Sequence, residues 1–313
     1  MSDSSQPPDA VPVIAVVGPT AAGKTDLSLA LAERLGGEVV NTDAMQVYRG
    51  MDIGTAKQPP DQRRGITHHL LDFLDIDQVA SVAEFQALAR ATITRLRDAG
   101  TTPILVGGSA LYTRAVLDEF AFPGTDPDVR RRLTDELERV GSGVLHERLA
   151  TLDPDAAAAI LASNGRRIVR ALEVIELTGE KFSATLPRLA YAVANAHQIG
   201  VAIDRATLHQ RIERRVDAMF EAGFVDEVAA LVERGLAGAR TASRAIGYPE
   251  VMAHLRGELT EAEARERTVI ATRRFARRQD QWFRKDPRIT WLAWDDPDLA
   301  DKAAALVPRT LTH

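Results

Sequence analysis

The chain has 313 residues, a net charge of −5 and no cysteine. Its length predicts one or two domains, and the absence of cysteine excludes disulfides and thiolate metal sites. The acidic balance argues against a protein that coats nucleic acid in bulk, although it leaves room for a local basic groove.

Residues 1–11 are polar, acidic and proline-rich, and we expect them to form a disordered tail. They lack the apolar centre of a signal peptide. No apolar run in the sequence approaches the length of about 18 residues that spans a membrane. These features predict a cytoplasmic protein without a membrane-spanning segment.

The first third of the chain alternates buried β-branched runs with amphipathic segments, which is typical of a parallel α/β sheet. We predict strands at Val13–Val17, Glu38–Asn41 and Pro103–Val106, helices at Thr25–Leu35 and Ser81–Ala99, and a loop at 52–67.

Beyond Pro123 the sequence becomes helical and rich in arginine, and each of two helical segments begins with a capping residue followed by proline. Strand character returns at Gln198–Ile203. We therefore predict an α/β core at 12–121 and 198–313, and an all-helical insertion domain at 122–197. The later elements are predicted to be long helices at about 205–236 and 260–284 and a last strand at Arg288–Trp294.

A phosphate-binding loop lies between the first strand and the first helix, where the motif G-x-x-x-x-G-K-[ST] requires it. Its backbone amides and the helix N-terminus bind phosphates, Lys24 adds a charge, and the Thr25 hydroxyl is a candidate Mg²⁺ ligand. A chance glycine-rich turn is the alternative, but strand and helix are both in place. The motif comprises Gly18, Pro19, Thr20, Ala21, Ala22, Gly23, Lys24 and Thr25.

The sequence motifs that usually accompany a phosphate-binding loop are poorly represented in this chain. There is no Asn-Lys-x-Asp segment to bind guanine, and the strand at Pro103–Val106 ends in Gly107–Gly108 instead of an acidic residue. Asp72 is a weak substitute for that acid. The loop is therefore interpreted as serving a phosphate leaving group, within a P-loop NTPase-like fold.

Two further residues are candidates for the chemistry. Asp43 follows the second strand, at the sheet edge where ligands of parallel sheets bind, and a carboxylate there can accept a proton. Arg215 lies within the apolar stripe of a helix, where a guanidinium needs an anionic partner. The alternatives are an aspartate that caps a turn and an arginine that is salt-bridged or reaches solvent.

The segment 265–285 holds eight Arg or Lys and two acidic residues. Helical spacing places Ala271, Phe275 and Trp282 on one side and Arg273, Arg277 and Arg284 on the other. Such a cationic face is typical of nucleic-acid binding, whereas a solvated helix face is the alternative.

These stretches together resemble the tRNA dimethylallyltransferase family, along residues of about 13 to 294. The resemblance rests on the ordered motifs GPTAAGKT, DAMQVY, MDIGTAK, ILVGGSALY, RRIVRALEV, RIERRVDAMFEAGFVDEV, AIGYPE and ATRRFARRQDQWFR. Ser109 stands where the family typically has threonine. Cysteine-based zinc fingers of eukaryotic relatives are absent.

The resemblance implies transfer of a dimethylallyl group from dimethylallyl diphosphate to N6 of adenine-37, in tRNAs that read codons beginning with U. It implies Asp43 as general base, Arg215 and Thr25 at the diphosphate, and Mg²⁺ as cofactor. The partners would be the tRNA anticodon stem-loop and the prenyl diphosphate, and a monomer is expected. The implied tRNA contacts are Asp43, Ala44, Met45, Gln46, Ser109, Arg130, Arg166, Arg167, Ile168, Val169, Arg170, Arg244, Ala245, Ile246, Gly247, Tyr248 and Pro249.

Two other functions compete with this interpretation. A small-molecule or nucleoside kinase also needs a phosphate loop, an aspartate after the second strand and an arginine-rich lid, but it does not need a basic C-terminal helix. A non-catalytic, nucleotide-dependent RNA-binding protein would keep its RNA affinity without Asp43. The ordered motif set favours the transferase over both.

Overall fold

The computed structural model describes residues 11–120, 122–185 and 189–308, so nearly all of the predicted tail lies outside the described residues. The chain divides into two compact units. One holds the described residues up to Leu117 and from Tyr191 onward, and the other is Asp118–Ala190. Both boundaries precede the predicted 122 and 197, because Ala192 and Val193 donate backbone hydrogen bonds to Leu117 of the first unit.

The helices and strands follow in chain order. The strands are β1 (Val13–Val17), β2 (Gly37–Asn41), β3 (His68–His69), β4 (Thr102–Val106), β5 (Ala196–Ala202) and β6 (Ile289–Ala293). The helices are α1 (Lys24–Leu35), α2 (Val82–Asp98), α3 (Ala110–Leu117), α4 (Pro127–Leu152), α5 (Pro154–Ala159), α6 (Gly165–Thr178), α7 (Arg205–Glu221), α8 (Phe224–Glu233), α9 (Tyr248–Leu255), α10 (Glu261–Phe283) and α11 (Leu299–Ala305).

Within the described residues the larger unit contains one six-stranded sheet in the order β3-β2-β4-β1-β5-β6. All neighbouring strands pair in parallel, which confirms the predicted sheet. β1 is central and buried along its whole length. Its continuous apolar sequence suits a strand that is covered on both faces.

Alternate residues of β1 pack into two different hydrophobic clusters, as the two-residue period of a strand requires. Val13, Ala15 and Val17 belong to the cluster that also includes α2, α3 and the helices α7 to α10. Ile14 and Val16 belong to the cluster formed with α1 and α11. The sheet is therefore packed between two helical layers.

The smaller unit is helical, and side chains cap its helices as the sequence indicates. Asp126 accepts backbone hydrogen bonds at the start of α4, and Asp153 does so at the start of α5. Asn164 caps α6 in the same way. Leu133, Leu149 and Ile168 lie in the core that these helices share.

The predicted helix at 205–236 is wrong as a single element. Gly223 adopts a φ of 95°, which ends α7 and starts α8. The short elements β3, α3, α9 and α11 were not predicted, because each is too brief to show a clear period. Throughout the described ranges, no helix combines the length and the apolar character needed to cross a membrane.

Candidate active site

Three loops meet at the carboxyl edge of the sheet. β2, β4 and β1 are neighbours, and they are followed by Asp43, by the turn Gly107–Gly108 and by the phosphate loop. Because parallel strands end at one edge, these segments lie side by side. β5 ends at the same edge and is followed by α7, which carries Arg215.

The phosphate loop is tightly shaped. Gly18 has a φ of 136°, and a Cβ at this position would lie 3.1 Å from the carbonyl oxygen of Val201. Gly23 has a φ of 104° and precedes the N-terminus of α1. The Lys24 Nζ donates to the carbonyl of Pro19 at 2.8 Å and so folds back over the loop. This arrangement directs a helix N-terminus and an ammonium group at one anion site.

Three charged side chains act on one another here. Burial and, to a smaller extent, the positive charge of Arg215 lower the pKa of Lys24 to about 7, against the opposing effect of the negative charge of Asp43. The Arg215 guanidinium, whose own pKa is lowered by burial, donates to the Thr20 hydroxyl at 3.4 Å. The site thus concentrates positive charge that a diphosphate would neutralise.

Asp43 is held by its neighbours. Its Oδ1 accepts the backbone N–H of Met45 at 2.9 Å, and its own N–H donates to the Asn41 side chain at 2.9 Å. Asn41 is buried and also donates to the carbonyl of Leu70. One carboxylate oxygen of Asp43 therefore caps a turn, as the alternative interpretation holds, while the charge of the carboxylate favours the charged forms of Lys24 and Arg215.

Three residues at the site were missed by the sequence analysis. The buried Gln279 of α10 contacts Thr20 and Gly108. A terminal nitrogen of Arg211 lies 3.8 Å from the point that a Cβ built on Gly23 would occupy. Arg211 precedes Arg215 by one helical turn, and this spacing could have revealed it in the sequence. Burial raises the pKa of Tyr112 to about 12, with a further contribution from Tyr48 and Asp43, so a neutral phenol lies near the carboxylate.

The predicted tRNA contacts in the larger unit differ in exposure. The partly exposed residues are Asp43, Ala44, Met45, Gln46, Ser109 and Ile246, and the exposed residues are Arg244 and Pro249. Ala245, Gly247 and Tyr248 are buried, and the Tyr248 hydroxyl donates to Glu227. The side chains of Ala245 and Tyr248 therefore contribute to the core, and only backbone groups of these two residues stay candidates for RNA contact.

The smaller unit shows a similar division. Ile168 and Val169 are buried, whereas Arg166 and Arg167 are exposed. Arg130 and Arg170 both pair with Glu173, which is fully buried. The structure thus gives Arg130 and Arg170 a role in stabilising this unit, and it leaves Arg166 and Arg167 as the more available cations of the segment.

Carboxylates neutralise part of the predicted cationic face of α10. The buried side of α10 consists of Ala264, Thr268, Ala276, Gln279 and Phe283. Trp282 is 51% exposed. Arg273 pairs with Glu213, and Arg284 pairs with Asp280 and stacks on Trp291. Arg277 is exposed. The predicted face is therefore less cationic than its sequence indicates, because ion pairs neutralise Arg273 and Arg284.

The donor set at the site fits Mg²⁺ only as an ion that is shared with substrate. Among the described residues, no cluster of three or more His, Cys, Asp or Glu side chains could hold a metal. The partly exposed Thr25, the predicted ligand, supplies one hydroxyl. Mg²⁺ commonly takes few protein ligands and completes its shell with water and phosphate oxygens. Asp72, the weak substitute, is instead paired with the buried Lys57.

Comparison with known proteins identifies relatives over nearly the whole chain. The sequence model of the family described as IPP transferase matches residues 46–286. The tRNA dimethylallyltransferase of Nocardioides sp. is 65% identical and aligns over 97% of this chain and 98% of its own length. The corresponding enzyme of Streptomyces coelicolor is 60% identical over 99% of each chain.

Solved structures of similar proteins share this fold. A tRNA isopentenylpyrophosphate transferase from Bacillus halodurans has 42% sequence identity and a TM-score of 0.69, covering 95% of this chain and 94% of its own. A eukaryotic dimethylallyltransferase acting on tRNA has 29% identity and a TM-score of 0.80, covering 94% and 76% respectively. The chain therefore belongs to the IPP transferase family, whose relatives named here are tRNA dimethylallyltransferases and isopentenyltransferases.

Proposed function

We propose that this enzyme transfers a dimethylallyl group from dimethylallyl diphosphate to N6 of adenine-37, in tRNAs that read codons beginning with U. The observation that carries the proposal is the electrostatic coupling of Asp43 to Lys24 and Arg215, the cations at the phosphate loop, in a chain of this family. A kinase or a non-catalytic RNA-binding protein is not favoured by that membership. The reaction takes place where tRNA is found, so we expect the enzyme in the cytoplasm, as a monomer.

The phosphate loop holds the diphosphate, and Lys24 and Arg215 neutralise the charge that builds up as it departs. The N6 nitrogen of adenine attacks C1 of the dimethylallyl group, and a new C–N bond forms. The C1–O bond breaks, and its electron pair leaves with the diphosphate. Asp43 accepts the proton that N6 loses, because an aromatic amine is a weak nucleophile while it keeps that proton.

Thr25 is the residue that would hold Mg²⁺ together with the diphosphate. The ion, when bound, supplies further positive charge at the leaving group. The target adenine must leave its stack to reach Asp43. Partly exposed Met45, Gln46 and Ser109 near this carboxylate are suited to contact the extruded nucleotide.

The test is a transfer assay with unmodified tRNA, labelled dimethylallyl diphosphate and Mg²⁺. Label should appear at adenine-37 with the natural enzyme, and Asp43→Asn should lower kcat at least about 100-fold, a size typical of a lost general base. The variant should still bind pyrophosphate, because the phosphate loop, Lys24 and Arg215 are retained. Absence of label with the natural enzyme, together with ATP-dependent phosphorylation of a small acceptor, would refute the proposal.

A further inference from the structure

Gln279 links two backbone segments of the candidate active site. It lies on α10, and 5% of the residue is exposed. Its Oε1 accepts the backbone N–H of Thr20 at 2.8 Å, and its Nε2 donates to the carbonyl of Gly108 at 2.9 Å. One side chain from a distant helix therefore joins the phosphate loop to the turn that follows β4.

These two contacts require a primary amide. The Thr20 N–H needs an acceptor, the Gly108 carbonyl needs a donor, and a planar carboxamide offers one of each. A glutamate at this position would accept from Thr20 but repel the Gly108 carbonyl, and a methionine would satisfy neither group. Because the position is buried, water cannot readily replace a lost partner, and an unpaired backbone group is costly.

The backbone of Gly108 is closely fitted to this amide. A Cβ added at Gly108 would overlap the Gln279 carboxamide. A Cβ added at Gly107 would overlap Thr42, the residue that precedes Asp43. The glycine turn is thus closely packed against Thr42 on one side and against Gln279 on the other.

Thr20 extends the connection to a charged group. Its hydroxyl is the acceptor for Arg215, while its backbone N–H is bound to Gln279. We propose that Gln279 is a positioning residue that fixes Thr20, and through Thr20 the Arg215 guanidinium, in the geometry that binds the diphosphate. This inference rests on the proposed function and adds to it a determinant of diphosphate affinity.

The experiment measures the affinity of the full-length enzyme for inorganic pyrophosphate by calorimetry. Gln279→Met and Gln279→Glu should each raise the Kd at least tenfold in protein shown to be folded by circular dichroism. The matched controls are Gln281→Met and Gln281→Glu, because Gln281 is exposed on the same helix. The Kd of these controls for pyrophosphate should stay within twofold of that of the natural enzyme. The tRNA affinity of all four variants should also stay within twofold of the natural enzyme's.

A double-mutant cycle separates positioning from a general structural role. Thr20→Ala keeps the backbone N–H but removes the hydroxyl that contacts Arg215. If Gln279 acts through that hydroxyl, Gln279→Met should cost less than threefold in the Thr20→Ala background. An equal loss in both backgrounds, or an unchanged Kd in folded Gln279→Met, overturns the inference.

A second variant tests the contact if substitutions at Gln279 prevent folding. Gly108→Ala displaces the amide without removing it, and it should raise the pyrophosphate Kd at least threefold. An unchanged Kd in folded Gly108→Ala overturns the inference. A natural enzyme that binds pyrophosphate but transfers no prenyl group would refute only the proposed function, because the comparison of variants uses binding alone.

Discussion

At the scale of single residues, Lys24 makes diphosphate binding depend on pH. Burial and Arg215 lower the pKa of its ammonium to about 7 in the free enzyme, whereas a bound diphosphate favours the charged form. Above pH 7 binding must therefore take up a proton, and the affinity for pyrophosphate should fall by up to about tenfold for each further pH unit. Calorimetry in buffers of different ionisation enthalpy measures this uptake between pH 6 and 9.

Two variants distinguish Lys24 from the titration of pyrophosphate itself. Lys24→Met should abolish the protein's share of the proton uptake and bind weakly at every pH, while Lys24→Arg should retain charge throughout this range. Equal proton uptake by the natural enzyme and Lys24→Met would contradict the prediction.

The same pKa shift of Lys24 affects the stability of the fold, since the unfolded chain binds more protons than the folded chain between about pH 7 and 10.5. Burial of the charged ammonium therefore destabilises the fold by its full amount below pH 7, and this destabilisation decreases as the pH rises through that window.

At the scale of elements, Glu227 anchors the loop after Met51 to α8. Its carboxylate accepts the backbone N–H groups of Asp52, Ile53 and Gly54 at 2.9, 2.6 and 3.1 Å. It also accepts the hydroxyl of Tyr248 at 2.7 Å. Glu227→Gln should lower the free energy of unfolding by about 3 kcal/mol, because an NH₂ group would then face donors and leave some of them unpaired.

Denaturation in urea measures that change, and hydrogen exchange at residues 52–54 locates it. Glu233→Gln on the exposed side of the same helix is the matched control and should stay within about 0.5 kcal/mol of the natural protein. A Glu227→Gln variant as stable as this control would show that the loop does not depend on the carboxylate. The loop also matters for the site, since its carbonyls at Thr55 and Ala56 accept from Gln46.

The elements differ in how well the sequence predicted them, and the reason is the range of the interactions. The phosphate loop and the strand before Asp43 are encoded in a few consecutive residues, so motif and periodicity found them. Gln279 contacts residues 171 and 259 positions away, and no local pattern reveals such partners. α10 was predicted as a helix, but its Arg273 pairs with Glu213, 60 positions away, and the sequence pattern did not reveal that ion pair.

At the scale of the whole molecule, an acidic protein must bind a polyanion through local cationic sites. The net charge is −5, and many arginines are already neutralised by carboxylates, as Arg130 and Arg170 are by Glu173. The exposed pair Arg166 and Arg167 is therefore expected to contact RNA phosphates. The double variant Arg166→Ala/Arg167→Ala should bind tRNA at least tenfold more weakly at moderate salt.

The dependence on salt identifies the cause of that loss. Each phosphate contact removed should reduce the slope of log K against log salt by about 0.7 to 0.9, so the double variant should lose between one and two units. Arg34→Ala/Arg256→Ala removes the same two charges, but these arginines pair with Asp301 and Glu258. If the control weakens tRNA binding as much and changes the slope equally, net charge and not contact governs the affinity. A loss confined to Arg166→Ala/Arg167→Ala, with pyrophosphate affinity unchanged, would place RNA binding and diphosphate binding on separate sets of cations.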